Sequence, residues 1–409
     1  MTATPERSVR ERPGAAPSGL AEVGGAFLKL GLMSFGGPVA HLGYFRREFV
    51  ERRRWIDDAA YADLVALCQF LPGPASSQVA FALGMRRAGP GGALLASLGF
   101  MLPSAVLMIA FAYGVASLGG IGTAGWLHGL KLAAVAVVAL AVWAMGLRLC
   151  PDWPRRILGL AAAATVLLLP GTLSQVGVIG ACAAAGLIGL RSAAPPRDTT
   201  AGGLTRGHLW AAASLCLFAA LLAALPVLAR VTGEKPVAVF DGFYRAGSLV
   251  FGGGHVVLPL LRSEVVPPGW VSDDAFLAGY GAAQALPGPL FTFAGYLGTL
   301  IRGGSHAWTG GVLCLFAIFL PGWLLVGGAY PFWHVIRGRA WARSALLGAD
   351  AAVVGILLAA LYRPVCTQGI GDWRDAAAAA GAAVLLGRLR VPPWAVVLIM
   401  AGAGQWVLR

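Results

Sequence analysis

Long apolar stretches, separated by short polar loops, occupy most of the chain after residue 92. Several of them are shorter than the ~20 residues that a full membrane crossing needs, so we expect tilting or local thinning of the bilayer. The pattern predicts an all-α polytopic membrane protein. The predicted membrane segments are 93–118, 125–147, 157–169, 172–190, 208–229, 307–332, 341–362, 376–387 and 392–408.

The composition supports a membrane environment. Of the 409 residues, 58% are hydrophobic and only 12% are charged, whereas about a quarter of the residues in soluble domains are charged. A soluble fold of this length could not bury so much apolar surface. The 58 glycines and 25 prolines, many of them inside apolar segments, indicate helices that are broken or closely packed.

The chain contains an internal repeat. Residues 27–61 recur about 216 positions later, and F-G-G at 35–37 matches F-G-G at 251–253. The motif Q-F-L-P-G-P at 69–74 likewise matches Q-A-L-P-G-P at 284–289. Such self-similarity predicts duplicated structure. We expect a disordered cytoplasmic tail (1–19), a first repeat (20–191), a linker with one unpaired transmembrane helix (192–232) and a second repeat (233–409).

The loop charges predict the orientation of the two repeats. The loop at 119–124 has no charge, whereas the equivalent loop near 333–343 carries three arginines. Since basic loops stay in the cytoplasm, this alternation predicts an inverted repeat, an arrangement typical of transporters. We expect a multi-pass protein of the cytoplasmic membrane with its N-terminus inside and its C-terminus outside. The net charge of +13 then reflects topology and contact with membrane lipid, and no nucleic acid partner is expected.

The region 20–90 poses a separate question. The segment 46–54 holds five arginines, which a full crossing by 20–45 would place outside the cell. Two re-entrant hairpins in each half, formed by 20–45 and 57–90 and their equivalents, are therefore favoured. Two ordinary crossings are the alternative.

The two Pro-Gly-Pro tripeptides are the strongest candidates for chemistry. Proline inside a helix lacks a hydrogen-bond donor and clashes with the preceding turn, so each tripeptide predicts a helix break. The helix that restarts after a break presents free N–H groups, which suit an anion. The alternative is a simple kink in which glutamine bonds a neighbouring helix. The candidate anion-binding residues are Gln69, Pro72, Gly73, Pro74, Ser76 and Ser77 in the first repeat and Gln284, Pro287, Gly288, Pro289 and Thr292 in the second.

A second pair of breaks is predicted at the glycine clusters Gly36-Gly37-Pro38 and Gly252-Gly253-Gly254. The alternative is close packing of small residues. Seven residues before each cluster lies a cation, Lys29 or Arg245. A charge inside an apolar segment is costly and suggests a substrate contact, although both side chains are long enough to reach water.

Three carboxylates are candidates for proton coupling. Glu48 and Glu264 match across the repeats, with ion pairing to adjacent arginines as the alternative. Asp350 lies within an apolar segment. Asp57 and Ser272 precede amphipathic segments, so they are interpreted as helix N-caps. The six histidines share no spacing, and neither a metal site nor a cofactor is predicted.

Over residues 20–409 the chain resembles the chromate ion transporter family. The resemblance rests on F-G-G-P at 35–38, R-R-E-F-V at 46–50, W-I-D-D at 55–58 and Q-F-L-P-G-P at 69–74, and on their second copies F-G-G-G-H at 251–255, W-V-S-D-D at 270–274 and Q-A-L-P-G-P at 284–289. Membership implies export of chromate driven by the proton-motive force, with sulfate as a structural mimic. By motif, the resemblance adds Phe35 to the candidate binding residues. The repeats differ where Pro38 stands opposite Gly254.

Two other functions stay open at this point. A transporter of sulfate or another oxyanion would have the same pattern, because helix termini recognise charge rather than element. A membrane enzyme acting on lipid phosphates would need clustered acids or histidines, and the 18 Asp and Glu residues are scattered. We therefore expect a transporter rather than an enzyme. A homodimer is compatible with either organisation.

Overall fold

The computed structural model describes residues 19–117, 125–190, 206–251, 254–333 and 339–406. The N-terminal tail, the uncharged loop at 119–124 and the glycines Gly252 and Gly253 lie outside the described residues. Within these ranges every regular element is helical and no strand occurs, so the all-α fold class is confirmed.

Sixteen α-helices with more than one turn follow each other in the described ranges. The first half contains α1 (Leu20–Met33), α2 (Gly37–Phe45), α3 (Asp58–Phe70), α4 (Ala75–Ser117), α5 (Gly125–Leu149), α6 (Trp153–Leu168) and α7 (Thr172–Gly189). A single helix, α8 (Arg206–Thr232), separates the halves. The second half contains α9 (Lys235–Ser248), α10 (Val257–Val265), α11 (Asp273–Ala283), α12 (Phe293–Arg302), α13 (Ala307–Ala329), α14 (Ala340–Ala360), α15 (Trp373–Gly387) and α16 (Pro393–Trp406).

Five helical segments of the described ranges are long and apolar enough to cross a membrane. They are Ala75–Ser117, Gly125–Leu149, His208–Thr232, Ala307–Phe332 and Ala340–Gly369. The remaining predicted segments form the shorter helices α6, α7, α15 and α16, as their lengths in the sequence required. The helix α8 has no equivalent in either half, which fits the inverted topology predicted from the loop charges.

The two halves contain the same helices in the same order. Helix α4 is sharply kinked at Ala88 and Gly89, and the separate helices α12 and α13 correspond to its two arms. Asp57 caps α3 by accepting a hydrogen bond from the amide of Ala60, and Ser272 caps α11 in the same way. Both N-caps confirm their interpretation from the sequence.

A matched ion pair occurs in each half. Arg46 Nε lies 2.7 Å from Oδ1 of Asp58, and the equivalent atoms of Arg262 and Asp273 are also 2.7 Å apart. The same side chains therefore fix the turn before α3 and the turn before α11. The duplication seen in the sequence is a duplication of structure.

The halves are interlocked rather than side by side. Helix α5 of the first half packs on α15 and α16 of the second, and α14 of the second half packs on α6 and α7 of the first. The closest approaches are equivalent: Gly129 lies against the backbone of Met400, and Gly348 lies against the backbone of Cys182. Small residues permit this contact between helix backbones. The longest helix-to-helix contacts of α5 and α14 are thus made with the opposite half.

Pro38 and Gly254 lie where the two halves meet. They occupy equivalent positions in the repeats, yet they face each other: a Cβ atom on Gly254 would lie 3.4 Å from Cγ of Pro38. A residue that contacts its own equivalent must lie close to the two-fold axis relating the copies. The departure from symmetry noted in the sequence therefore falls at the axis, where a proline on one side faces a residue without a side chain on the other.

Candidate anion-binding cavity

Both Pro-Gly-Pro tripeptides break the helix, as predicted. The first lies between α3 and α4, and the second lies between α11 and α12. The backbone at Gly73 and Gly288 has φ angles of 123° and 96°, a region that residues with a side chain rarely adopt. Each tripeptide therefore depends on its central glycine.

Each break is held by the opposite half of the protein. The amide of Gly73 donates to the carbonyl of Val250 at 2.7 Å, and the amide of Gly288 donates to the carbonyl of Ser34 at 2.8 Å. Val250 and Ser34 are equivalent residues directly before the two F-G-G motifs. The two kinds of break predicted within each repeat are thus paired across the repeats, a relationship the sequence did not predict.

A cavity of about 420 Å³ lies beside the second of these pairs. From the first half it is lined by Gly36, Gly37 and Pro38, and from the second by Gln284 and Gly288. Gly36 is the N-cap of α2, so the cavity receives the N-terminus of that helix and its free N–H groups. Segments of α5 and of the turn between α15 and α16 complete the wall.

The geometry differs from a site lined equally by both tripeptides. Gln284 faces the cavity, and its buried Nε2 atom has no hydrogen-bond partner of good geometry in the described part of the chain. Its equivalent Gln69 is exposed on the surface, with Oε1 3.5 Å from the guanidinium of Arg148. The two glutamines, identical in the sequence pattern, occupy different environments.

Cationic and donor groups line the cavity without acidic ones. Arg390, exposed in the turn before α16, and His255, in the short 3₁₀ turn before α10, both line it. No Asp or Glu occurs among the described residues of its wall. Arg390 has a φ angle of 54°, an uncommon conformation for a residue other than glycine. The electrostatic character of the wall suits an anion.

A buried histidine connects the two breaks. His41 is 1% exposed; its Nε2 lies 3.1 Å from the carbonyl oxygen of Ser34, and its Nδ1 lies 3.3 Å from Oγ of Ser76. Because a carbonyl only accepts, Nε2 carries the proton and Nδ1 accepts from the serine hydroxyl. A polar chain therefore runs from Gly288 through Ser34 and His41 to Ser76, which follows the first tripeptide.

The remaining hydroxyl candidates lie close to the breaks but are buried in protein. Thr292 Oγ1 donates to the carbonyl of Pro289 at 2.8 Å. Ser77 is 3% exposed, and its hydroxyl has no partner among the described residues. Pro287 and Pro289 are buried, whereas Pro72 and Phe35 are half-buried. None of these six residues is part of the cavity wall.

The two predicted substrate cations lie outside the cavity. Lys29 is exposed on α1, whereas Arg245 bonds Asp241 at 3.0 Å and Glu264 at 2.9 Å. The charge of Arg245 is thus balanced by two carboxylates of its own half. The structure does not bring Lys29 and Arg245 together.

The carboxylates predicted to titrate have different surroundings. Glu48 accepts hydrogen bonds from Arg52 and Arg53, and Glu264 accepts one from Arg245. Burial alone would raise the pKa of Glu48, but the hydrogen bonds and charges of the two arginines outweigh it, so the pKa lies below its usual value. Asp350 lies in α14, where its carboxylate interacts electrostatically with the positive charges of Arg148 and Arg155.

Sequence reasoning missed three residues of this region: His41, His255 and Arg390. His255 directly follows the glycine cluster in the F-G-G-G-H motif. Its position next to a predicted helix break could have identified it as a candidate. Arg390 lies in the turn between α15 and α16, and nothing in the sequence placed it beside the first repeat. His41 follows Pro38 by three residues, a spacing of one helical turn that would have placed it near the break.

Comparison with known proteins gives one family. The family model described as "Chromate transporter" matches residues 21–190 and again residues 237–405. A chromate transport protein of Pseudomonas aeruginosa is 31% identical over 404 residues, which cover 93% of this chain and 91% of that protein. A probable chromate transport protein of Synechococcus elongatus is 30% identical, with 75% of this chain and 74% of that protein covered.

A chromate transport protein of Cupriavidus metallidurans is 29% identical, with 82% of this chain and 80% of that protein covered. No solved structure matches the chain significantly. The family model covers most of both halves, in agreement with the paired motifs and the matched ion pairs. The chain belongs to the chromate transporter family, in its long form with two repeats.

Proposed function

We propose that the protein is a secondary transporter that exports chromate across the cytoplasmic membrane. The observation that carries the proposal is the cavity between Gly36-Gly37-Pro38 of one repeat and Gln284 and Gly288 of the other. It combines a helix N-terminus, an amide donor that has no protein partner of good geometry and the cation Arg390. These groups can replace part of the hydration shell of a tetrahedral dianion.

In this proposal the two repeats move relative to each other at their boundary. In inverted-repeat transporters the substrate binds between the halves, and one half moves against the other to expose the site alternately. The two interlocked halves are joined at the breaks by the hydrogen bonds of Gly73 and Gly288. Such short polar contacts are suited to breaking and reforming during transport, unlike the extensive helix contacts of α5 and α14.

The proposed energy source is the proton-motive force. Among the three candidate carboxylates, Asp350 is preferred, because Glu48 and Glu264 are engaged by arginines and stay charged as long as those pairs persist. Replacement Asp350→Asn is then expected to uncouple transport from the pH gradient while chromate still exchanges across the membrane.

The topology follows from the same proposal. The N-terminus lies in the cytoplasm and the C-terminus lies outside, so that basic loops face the cytoplasm and its anionic lipid surface. Sulfate, which shares the shape and charge of chromate, is proposed as a competitor. A homodimer is compatible with this arrangement but is not needed to complete the cavity, whose described wall comes from one chain.

Everted membrane vesicles test the proposal. With an imposed gradient, acidic inside, vesicles containing the protein should accumulate labelled chromate, and a protonophore or excess sulfate should reduce the accumulation. Vesicles with Asp350→Asn should lose the response to the gradient. Accumulation in right-side-out vesicles only would contradict export, and the absence of chromate flux in both orientations would contradict the function itself.

A further inference from the structure

His255 has a defined hydrogen-bonding arrangement in the cavity wall. Its Nδ1 atom lies 2.8 Å from the hydroxyl of Tyr280, and Tyr280 is 0% exposed. A buried phenol needs an acceptor for its proton. The side chain of Gln284 also approaches the Tyr280 hydroxyl, but as a donor, so we assign the acceptor role to Nδ1 of His255. The proton of the neutral imidazole is then on Nε2, which leaves an N–H donor on a ring that lines the cavity.

Three other groups of the wall offer hydrogen-bond donors as well. Gln284 contributes a buried amide nitrogen without a partner of good geometry, Arg390 contributes a guanidinium, and α2 contributes the N–H groups of its first turn. A carboxylate, which would accept a proton from a bound ligand, is absent from the described wall. The cavity therefore offers several hydrogen-bond donors and a positive charge.

We propose that His255, held in its Nε2–H form by Tyr280, donates a hydrogen bond to the bound oxyanion, and that the donor-lined cavity selects fully deprotonated tetrahedral dianions. The inference rests on the proposed function in that it concerns the same cavity. It adds His255 as a residue that binds the anion, Tyr280 as the residue that positions His255, and a rule for which anions are rejected.

The rule follows from the chemistry of the ligands. Sulfate and molybdate carry no proton near neutral pH, and chromate carries none in mildly alkaline solution. Inorganic phosphate and arsenate keep a proton on one oxygen and need an acceptor for it. Where that oxygen faces one of the N–H groups of the wall, a hydrogen bond is lost and a buried donor is left unpaired, which should weaken binding roughly tenfold or more.

Thermal stabilisation of the purified full-length protein tests binding without transport. A ligand that binds only the folded protein raises the unfolding temperature. In mildly alkaline buffer, chromate, sulfate and molybdate should stabilise the protein at roughly tenfold or more lower concentration than phosphate or arsenate, the ratio that corresponds to one such hydrogen bond. Equal stabilisation by phosphate and sulfate would overturn the selection rule.

Variants separate the role of His255 from a general effect on folding. His255→Leu should weaken binding of sulfate by roughly tenfold, whereas His255→Gln, which keeps an N–H donor at nearly the same place, should restore most of it. Tyr280→Phe should reduce the preference for sulfate over phosphate. Tyr244→Phe, which removes another buried hydroxyl that bonds the carbonyl of Phe218 outside the cavity wall, should leave the preference unchanged.

The outcomes distinguish this inference from the proposed function. Selective stabilisation by dianions, lost in His255→Leu and restored in His255→Gln, supports the inference even when vesicles show no chromate flux, a result that would contradict only the transport proposal. Chromate flux together with unchanged selectivity in both His255→Leu and Tyr280→Phe would overturn the inference and leave the proposed function standing.

Discussion

The amide of Gly73 donates a 2.7 Å hydrogen bond to the carbonyl of Val250, more than a hundred residues away along the chain. The equivalent bond from Gly288 to Ser34 completes a reciprocal pair between the repeats. Each Pro-Gly-Pro break is thus satisfied by the glycine-rich break of the other half. In a membrane, where water is scarce, such partners allow irregular backbone to exist. The pairing places the cavity at the boundary between the repeats.

The central glycine of the second tripeptide offers a first prediction. A Cβ atom on Gly288 would lie 2.8 Å from Oγ of Ser104, and φ is 96°. Gly288→Ala is therefore expected to destabilise the break by about 1–3 kcal/mol and to abolish chromate transport. Thermal unfolding in detergent and vesicle uptake measure the two effects.

Gly381→Ala is the matched control for this change. Gly381 lies in α15, with nothing within 4 Å of its Cβ position. Replacing a glycine by alanine inside a helix stabilises the folded protein by about 0.5–1 kcal/mol. The control should therefore be at least as stable as the original protein and should transport normally. Normal transport by Gly288→Ala would show that the tripeptide conformation is not required.

The contact at the two-fold axis gives a second prediction. Gly254→Ala should be tolerated, since the added Cβ meets Pro38 at an ordinary contact distance of 3.4 Å. Gly254→Leu should clash with the proline and reduce transport strongly. If Pro38 and Gly254 interact directly, Pro38→Gly should restore part of the activity of Gly254→Leu. A double-mutant cycle on uptake rates measures this coupling, and additive effects would show that the two positions act independently.

The pairing of Glu48 gives a third prediction, which concerns pH. Because the arginines lower the pKa of Glu48 in the folded protein, the carboxylate contributes stability at neutral pH. This contribution is lost as the pH falls below the usual glutamate value and through the lowered one. Glu48→Gln should lower the unfolding temperature at neutral pH, and the difference from the original protein should shrink in acid.

Glu51→Gln provides the comparison for Glu48→Gln. The side chain of Glu51 is 52% exposed and pairs with Arg46, whereas that of Glu48 is 11% exposed. Exposed ion pairs contribute little to stability, so Glu51→Gln should have a smaller effect at every pH. Equal effects of the two changes would contradict the buried pairing of Glu48.

Much of the fold could be predicted from the chain alone. The long apolar segments predicted α5, α8, α13 and α14, because a membrane helix needs only length and apolar composition. The tripeptides predicted both helix breaks, since proline acts on its own local backbone. Asp57 and Ser272 predicted the starts of α3 and α11 for the same reason: an N-cap acts within one turn.

The site could be predicted only in part, because its geometry depends on contacts between distant residues. Gln69 and Gln284 begin the same motif, Q-x-L-P-G-P, yet one is exposed and the other is part of a cavity wall because their tertiary surroundings differ. Arg390 reaches the cavity because α16 packs on α5. Arg245, the cation of the second repeat, is neutralised by Asp241 and Glu264. Asp241 lies one helical turn earlier in α9 and is a local partner, whereas the contact with Glu264 of α10 is a tertiary fact.

The difference between the two glutamines tests the central claim most directly, namely that the anion binds between Gly36-Gly37-Pro38 and the second tripeptide. The measurement is the initial rate of chromate uptake into everted vesicles by Gln284→Leu and Gln69→Leu, at equal amounts of protein in the membrane. We predict a loss of roughly tenfold or more for Gln284→Leu, as expected for an amide that donates to a charged ligand, and a clearly smaller loss for Gln69→Leu. Equal losses, or a greater loss for Gln69→Leu, would contradict this location of the site.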